Sequence, residues 1–500
     1  MTAREQQASG FDPRWLTLIV TTIGTFMSIL DATIVNIALP DILRDFHSDL
    51  DQGQLVLSVY LLALAIVIPV SGYMAERFGM KRMYMITLVL FTAGSALCGI
   101  AWNVESLIFF RVLQGLGGGM LQPLGMAIVF SMITPLERGR FMGLLGLPML
   151  LAPIIGPTVG GYLVEYSTWR MIFMINLPVG IINLVLAYML LKETPLREGV
   201  RLDVRGFALA AIAFPALILA LSEGEHWGWT SPGIASMFAV GVVAIAAFIR
   251  TELRHDDPLL RVALFREPIF ALGMGIQFVM QFSLFGLQFL LPLFLQTAHR
   301  LSPAETGLVL LPSGIATFIT MNFSGRTYNR FGPRVLAVIG LLILIATTGL
   351  FSRTTEHTSI LTIGALATLR GAAMGFCMMP VQTALFNTVP QQFVTRATAL
   401  TNVGFRLYGA VSTAVLTTVL TLSLGWHGAP EGSSITRGTA PLNFMSKAFD
   451  DAFLLMTGVT AIALLLALFL RDPVLEAVRR GEEEPRPEPV PEGSAASAEI

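Results

Sequence analysis

Apolar runs of about eighteen to thirty residues recur about fourteen times along the chain, each long enough to cross roughly 30 Å of hydrocarbon as a helix. They lack the short alternation of barrel strands, and only helices and closed barrels satisfy every backbone group in lipid. The chain therefore reads as an all-α integral membrane protein with the lipid bilayer as its first partner. Composition agrees, with 54% hydrophobic and 13% charged residues, where soluble domains carry about a quarter charged. The net charge of -1 gives no reason to expect nucleic acid as a partner.

Short polar loops group the runs into blocks at 15–191, 205–250 and 268–470. Residues 1–14 precede them, and a Glu-, Pro- and Ala-rich tail at 471–500 reads as disordered. Of the 32 Lys and Arg residues, twenty-three fall in the segments that alternate onto one side. That bias places both termini in the cytoplasm. The first apolar run is too long for a cleaved signal peptide and reads as a retained span.

An internal repeat organises the chain. "GYMAERFGMKR" at 72–82 is echoed by "GRTYNRFGPR" at 325–334, aligning Gly72 with Gly325, Arg77 with Arg330 and Gly79 with Gly332. Each copy carries six runs and the block at 205–250 lies between them, giving six plus two plus six. Duplicated six-helix halves are the plan of secondary transporters, whose substrate sites lie between the halves near the bilayer midplane.

Three cations and one acid fall inside apolar runs. Asp31 lies about 24 Å along the first run and Arg111 about 7.5 Å in from the opposite start of the fourth, so their depths agree. We expect them to face each other directly or through Gln114, which would explain how both charges persist in hydrocarbon. A carboxylate whose neighbours and hydration change as a cavity opens holds a proton more tightly in one state than another, so Asp31 is the candidate proton carrier. The alternative is a static ion pair. By these spans the six histidines fall in loops and no other acid sits inside a run. Arg370 and Arg406 lie roughly 13–15 Å deep in the second half with no acid at matching depth. They either bind backbone carbonyls or favour anionic substrates. Gln277, Gln281 and Gln288 share one helix face, as a cavity wall or as interhelical glue.

With "LDATIVNIALP" at 30–40, "GYMAERFGMKR", "RVLQGLGGGMLQP" at 111–123 and "APIIGPTVGG" at 152–161, the chain resembles the major facilitator superfamily, specifically its fourteen-helix drug:proton antiporter group. It departs from the group at Glu76, Met80 and Leu55, where Asp, a basic residue and Trp are usual. The resemblance implies an exporter of amphipathic drugs or toxic compounds in the bacterial inner membrane. Its energy source would be the proton gradient, with no cofactor and a small molecule as substrate. It also allows a periplasmic adaptor and outer-membrane channel as partners. A dedicated exporter of one metabolite or lipid-like molecule and a non-transporting receptor are the rival readings.

Two motifs have physical readings of their own. Gly72 and Gly79 permit a tight turn while Glu76, Arg77, Lys81 and Arg82 can pair across the loop seam, which we read as a latch confined to the first half because Asn329 stands opposite Glu76. In the fifth run Pro157 joins Gly156, Gly160 and Gly161, a pattern expected to bend the helix and pack it closely. No P-loop, metal-ligand set or nucleophile–base spacing appears, so the chain does not read as an enzyme or an ATP-driven pump.

Overall fold

A computed structural model describes residues 13–194, 196, 202–255, 257–430, 433, 435 and 440–482. Of the tail expected to be disordered from 471 onward, residues 471–482 are described and include a short helix, Pro473–Arg479, with Asp472 and Leu475 buried; residues 483–500 lie outside the described residues, as do the side chains of Pro153 and Pro157. All regular elements among the described residues are helical.

The first half contains α1 (Pro13–Phe46), α2 (Leu50–Val67), α3 (Ser71–Phe78), α4 (Met80–Gly99) and α5 (Val104–Met132). It continues through α6 (Pro135–Leu145), α7 (Leu147–Tyr166), α8 (Met171–Met174) and α9 (Asn176–Leu190). The inserted pair is α10 (Val204–Trp227) and α11 (Pro232–Glu252). The second half contains α12 (Pro268–Thr297), α13 (Pro303–Phe331), α14 (Pro333–Phe351), α15 (Ile360–Asn387), α16 (Val394–Trp426) and α17 (Leu442–Ala467), followed by the short α18 (Pro473–Arg479).

Twelve helices among the described residues are long and apolar enough to cross a membrane. A thirteenth crossing would be the pair α2 and α3, bent by 54°. Pro69 sits in that break and cannot donate to the helical ladder. The chain is thus an all-helical, multi-pass membrane protein.

The sequence repeat has a structural cause. Gly79 and Gly332 both adopt left-handed φ angles, +91° and +80°, where α3 turns into α4 and α13 into α14. A side chain is strained at either position. Gly72 and Gly325 serve a second purpose, because each packs on the opposite half: a Cβ at Gly72 would lie 3.3 Å from Arg396 Cγ on α16, and one at Gly325 only 2.6 Å from the Gly139 carbonyl on α6. The glycines of the two copies thus set the inter-half approach at the end of the bundle that holds the 72–82 loop, hereafter the basic end.

Candidate functional site

The candidate site is built by α1, α2, α4, α5 and α9 around Asp31, which is fully buried. Arg111 on α5 donates from Nη1 to Asp31 Oδ2. Gln114, one turn further along α5, donates from Nε2 to Asp31 Oδ1 at 2.7 Å and accepts from Arg111 at 2.8 Å. Asn176 on α9 adds a donor to Oδ1 at 3.1 Å and also donates to Ser95 Oγ on α4. The carboxylate therefore has three donors, which is how its charge is held away from water.

The guanidinium is fixed in turn. Arg111 Nε donates to the Val56 carbonyl at 3.3 Å, and its plane lies 4.0 Å from the centre of the Tyr60 ring. The Tyr60 hydroxyl donates to the Ser28 carbonyl on α1. Apart from Gln114 on its own helix, the groups that position Arg111 come from α1 and α2, so relative helix motion would disturb the pair.

The glycines at 156 and 160 let α7 lie directly on the Asp31 helix. A Cβ at Gly156 would meet Thr33 Oγ1 at 2.4 Å, and one at Gly160 would meet Ile34 Cγ1 at 2.7 Å. Gly161 faces nothing within 4 Å. The Pro157 side chain lies outside the described residues. A one-residue break at Gly146 separates α6 from α7, and a Cβ there would lie 2.3 Å from Met321 Cε on α13.

In the second half Arg370 on α15 is also buried, and its partners are neutral. It donates from Nη2 to the Ser283 carbonyl and hydroxyl on α12, both at 2.6 Å, and from Nε to Thr348 Oγ1 at 3.3 Å. Arg406 makes no hydrogen bond or ion pair among the described residues and lies within electrostatic reach of Tyr60 in the first half. Gln281 is buried and Gln277 half-buried, each with a buried side-chain oxygen that finds no partner, while Gln288 is exposed. The oxygens of the two inner glutamines of this stripe are thus buried without a partner. The expectation that no acid other than Asp31 sits inside a run is corrected here: α17 starts at Leu442, so Asp450 and Asp451 lie two turns inside a helix. Asp451 accepts from Ser423 Oγ at 2.5 Å and contacts His427 Nε2 at 3.1 Å.

The latch also differs from its expectation. Glu76 does not pair with Arg77, Lys81 or Arg82; it accepts from Nε and Nη2 of Arg396 on α16, at 2.9 and 2.7 Å. The Lys81 and Arg82 backbone amides both donate to the Glu193 carboxylate at 3.2 Å, Lys81 Nζ donates to the Tyr188 carbonyl at 2.6 Å, and Arg77 is exposed. The reason is geometric. α3 ends against α16, so its acid meets the other half, and the exposed amides at the start of α4 take an acid from beyond α9.

Arg396 binds more than Glu76. It pairs with Asp257 at 2.7 Å and donates to the Pro258 carbonyl at 2.6 Å. The segment after α11 is thereby drawn onto the gate, and the Leu259 and Leu260 amides are held by the Glu252 carboxylate at 3.1 and 3.0 Å. A second arm runs the other way: Arg138 on α6 donates to the Phe386 carbonyl at 2.6 Å and to Gln391 Oε1 at 2.9 Å. Asp472 steadies this arm, accepting from Asn387 at 2.8 Å and from Tyr328 at 2.5 Å. These contacts therefore join the two halves from both sides at the basic end.

Sequence reasoning missed Asn176, Arg138, Arg396, Glu193 and Asp257. Asn176 was findable as an amide inside an apolar run. The arginines were counted as loop charges, and only the packing of α6 and α16 reveals them as buried. No group of three metal-ligating residues occurs among the described residues.

Comparisons with known proteins agree with this architecture. Residues 21–413 match the model of the Major Facilitator Superfamily. The chain is 34% identical over 435 residues to the uncharacterized MFS-type transporter YhcA of Bacillus subtilis, covering 87% of this chain and 81% of that one. It is 31% identical to a multidrug resistance protein B homolog of Mycobacterium tuberculosis, covering 90% and 89%. Among solved structures it resembles the human organic anion transporter MFSD10 with a TM-score of 0.65 at 16% identity, covering 91% of this chain and 100% of that one. A XylE structure gives a TM-score of 0.63 at 14% identity, with 94% and 99% covered.

Proposed function

Because the chain belongs to the Major Facilitator Superfamily and is a transporter, not an enzyme, we propose that it is a proton-coupled antiporter exporting amphipathic drugs or toxic compounds by alternating access. The observation that carries this reading is Asp31, a fully buried carboxylate held by Arg111, Gln114 and Asn176 from two other helices. Buried acids of this kind are retained in membranes for function by default. Breaking the Arg111 contact as helices move changes the proton affinity of such a group, which is what coupling needs.

The relatives named for multidrug and lincomycin resistance support the drug class. In this reading the two partnerless glutamines and Arg406 line the substrate path, and the Glu76–Arg396 and Arg138 contacts hold the inward gate shut. The bent α2–α3 pair and the α6–α7 pair complete fourteen crossings, as in the fourteen-helix group, with both termini in the cytoplasm and the inner membrane as location. A periplasmic adaptor and outer-membrane channel would extend export across a second membrane.

The test is proton flux in proteoliposomes challenged with lipophilic cations, neutral drugs and anions, comparing wild type with Asp31→Asn. Substrate-induced proton movement that vanishes in the variant supports the reading. Flux that survives returns Asp31 to a structural role, and wild-type silence toward the whole panel favours a dedicated exporter of one metabolite or lipid-like molecule.

A further inference from the structure

The inserted helices carry a feature that the transport reading does not use. At the basic end, the start of α10 and the end of α11 border an open cleft of about 520 Å³ lined by Asp203, Arg205, Arg250, Thr251, Arg254 and His255, together with Leu202 and Val204. The three arginines are exposed and draw no ion pair among the described residues. Asp203 is 3% exposed; its Oδ1 caps α10 by accepting from the Gly206 amide at 2.8 Å, and its Oδ2 is buried with no partner. The nearby Glu252 is already satisfied by the Leu259 and Leu260 amides. His255 accepts the Asp257 amide on Nδ1 at 3.1 Å, so a neutral ring leaves its Nε2–H as a further donor.

We propose that this cleft binds a phosphoglycerol lipid headgroup, as in phosphatidylglycerol. Two apolar helices that end at one level of the bundle put the cleft at the membrane–water boundary, where a basic pocket between helices recognises lipid phosphate. Exposed arginines alone would be explained by the inward bias of positive charge. The orphaned Asp203 oxygen is not, because a buried acceptor needs a donor and a lipid phosphodiester offers none. A headgroup with a hydroxyl beyond its phosphate supplies both: the diester oxygens meet the guanidinium groups and the hydroxyl donates to Asp203. Leu202, 37% exposed, and Val204, 64% exposed, then face the acyl-ester region.

The test is thermal melting of the delipidated full-length protein in detergent, titrated with phosphatidylglycerol, phosphatidylmethanol, phosphatidylcholine or inorganic phosphate. The expected result is a melting temperature several degrees higher with phosphatidylglycerol, a smaller rise with phosphatidylmethanol, which lacks the hydroxyl, and none with the other two. The double variant Arg250→Gln/Arg254→Gln should melt like wild type without lipid and lose the phosphatidylglycerol response. Equal responses to phosphatidylglycerol and phosphatidylcholine, or a response intact in the double variant, overturn the proposal. A rise with inorganic phosphate alone makes this a free-anion site, and equal rises with the two anionic lipids remove Asp203 from it.

Discussion

Arg396 grips Glu76 across the boundary between the two halves through two hydrogen bonds of 2.9 and 2.7 Å, with both side chains withdrawn from the surface at 1% and 8% exposure. Neutralising Glu76 loses this tie between α3 and α16, and because Arg396 keeps Asp257 as a partner the cost stays below the ~3–5 kcal/mol of a fully uncompensated buried charge. Glu76→Gln should therefore release the basic end. The reporter is a cysteine pair at Leu136 and Asn329, where the Asn329 amide donates to the Leu136 carbonyl at 3.2 Å. We expect rapid crosslinking in the wild-type background and at least a tenfold slower rate with Glu76→Gln. Equal rates would show that the pair does not hold the gate.

The contrast between Glu76 and Asp31 shows what was legible. The depth of Asp31 and Arg111 follows from counting residues at a fixed rise per residue, so their meeting could be anticipated from sequence. Asn176 could not be matched to them in the same way, because it sits just beyond the α8–α9 break, which interrupts the count. Glu76 lies beside basic residues in the chain, and local proximity suggested a local pairing. Its true partner is 320 residues away, and only the packing of α3 on α16 brings them together. Gly79 and Gly332 were legible because their task, a left-handed turn, is set by the backbone at one position, whereas the packing task of Gly72 and Gly325 across the halves was not. The start of α17 was not, since its first two turns are too polar for a hydropathy reading.

Asn176→Leu removes one of the three donors to Asp31 and keeps the branched, four-heavy-atom shape of the side chain. A hydrogen bond to a charged group contributes about 1.5–3 kcal/mol, so the network should weaken without collapsing. The expected outcome is a folded protein whose substrate-induced proton flux in proteoliposomes falls by about tenfold. Undiminished flux would mean that Arg111 and Gln114 suffice to position the carboxylate.

Gly156 and Gly160 should be intolerant where Gly161 is tolerant. Gly160→Leu drives a side chain into Ile34 on α1, with its first carbon already 2.7 Å from Cγ1, and overpacking of this kind costs about 1–3 kcal/mol. We expect a lower melting temperature and loss of transport. Gly161→Ala meets open space and should stay within about 0.5 kcal/mol of wild type. Equal behaviour of the two variants in paired melting and transport measurements would place the α1–α7 contact elsewhere.

Arg370 and Arg406 should respond in opposite directions to loss of charge. Arg370 satisfies the Ser283 carbonyl and hydroxyl at 2.6 Å, so Arg370→Leu leaves buried acceptors unmade and should lower the melting temperature. Arg406 satisfies no protein group among the described residues, and a charge inside a membrane helix costs about 2.5–3.5 kcal/mol on insertion scales. Arg406→Leu should therefore leave stability unchanged or raise it. Its transport signature follows from sign: removing a fixed positive charge near Tyr60 should increase turnover of cationic substrates relative to anionic ones. A substrate-charge ratio identical to wild type, measured on the same proteoliposome panel, would show that Arg406 does not face the transported molecule.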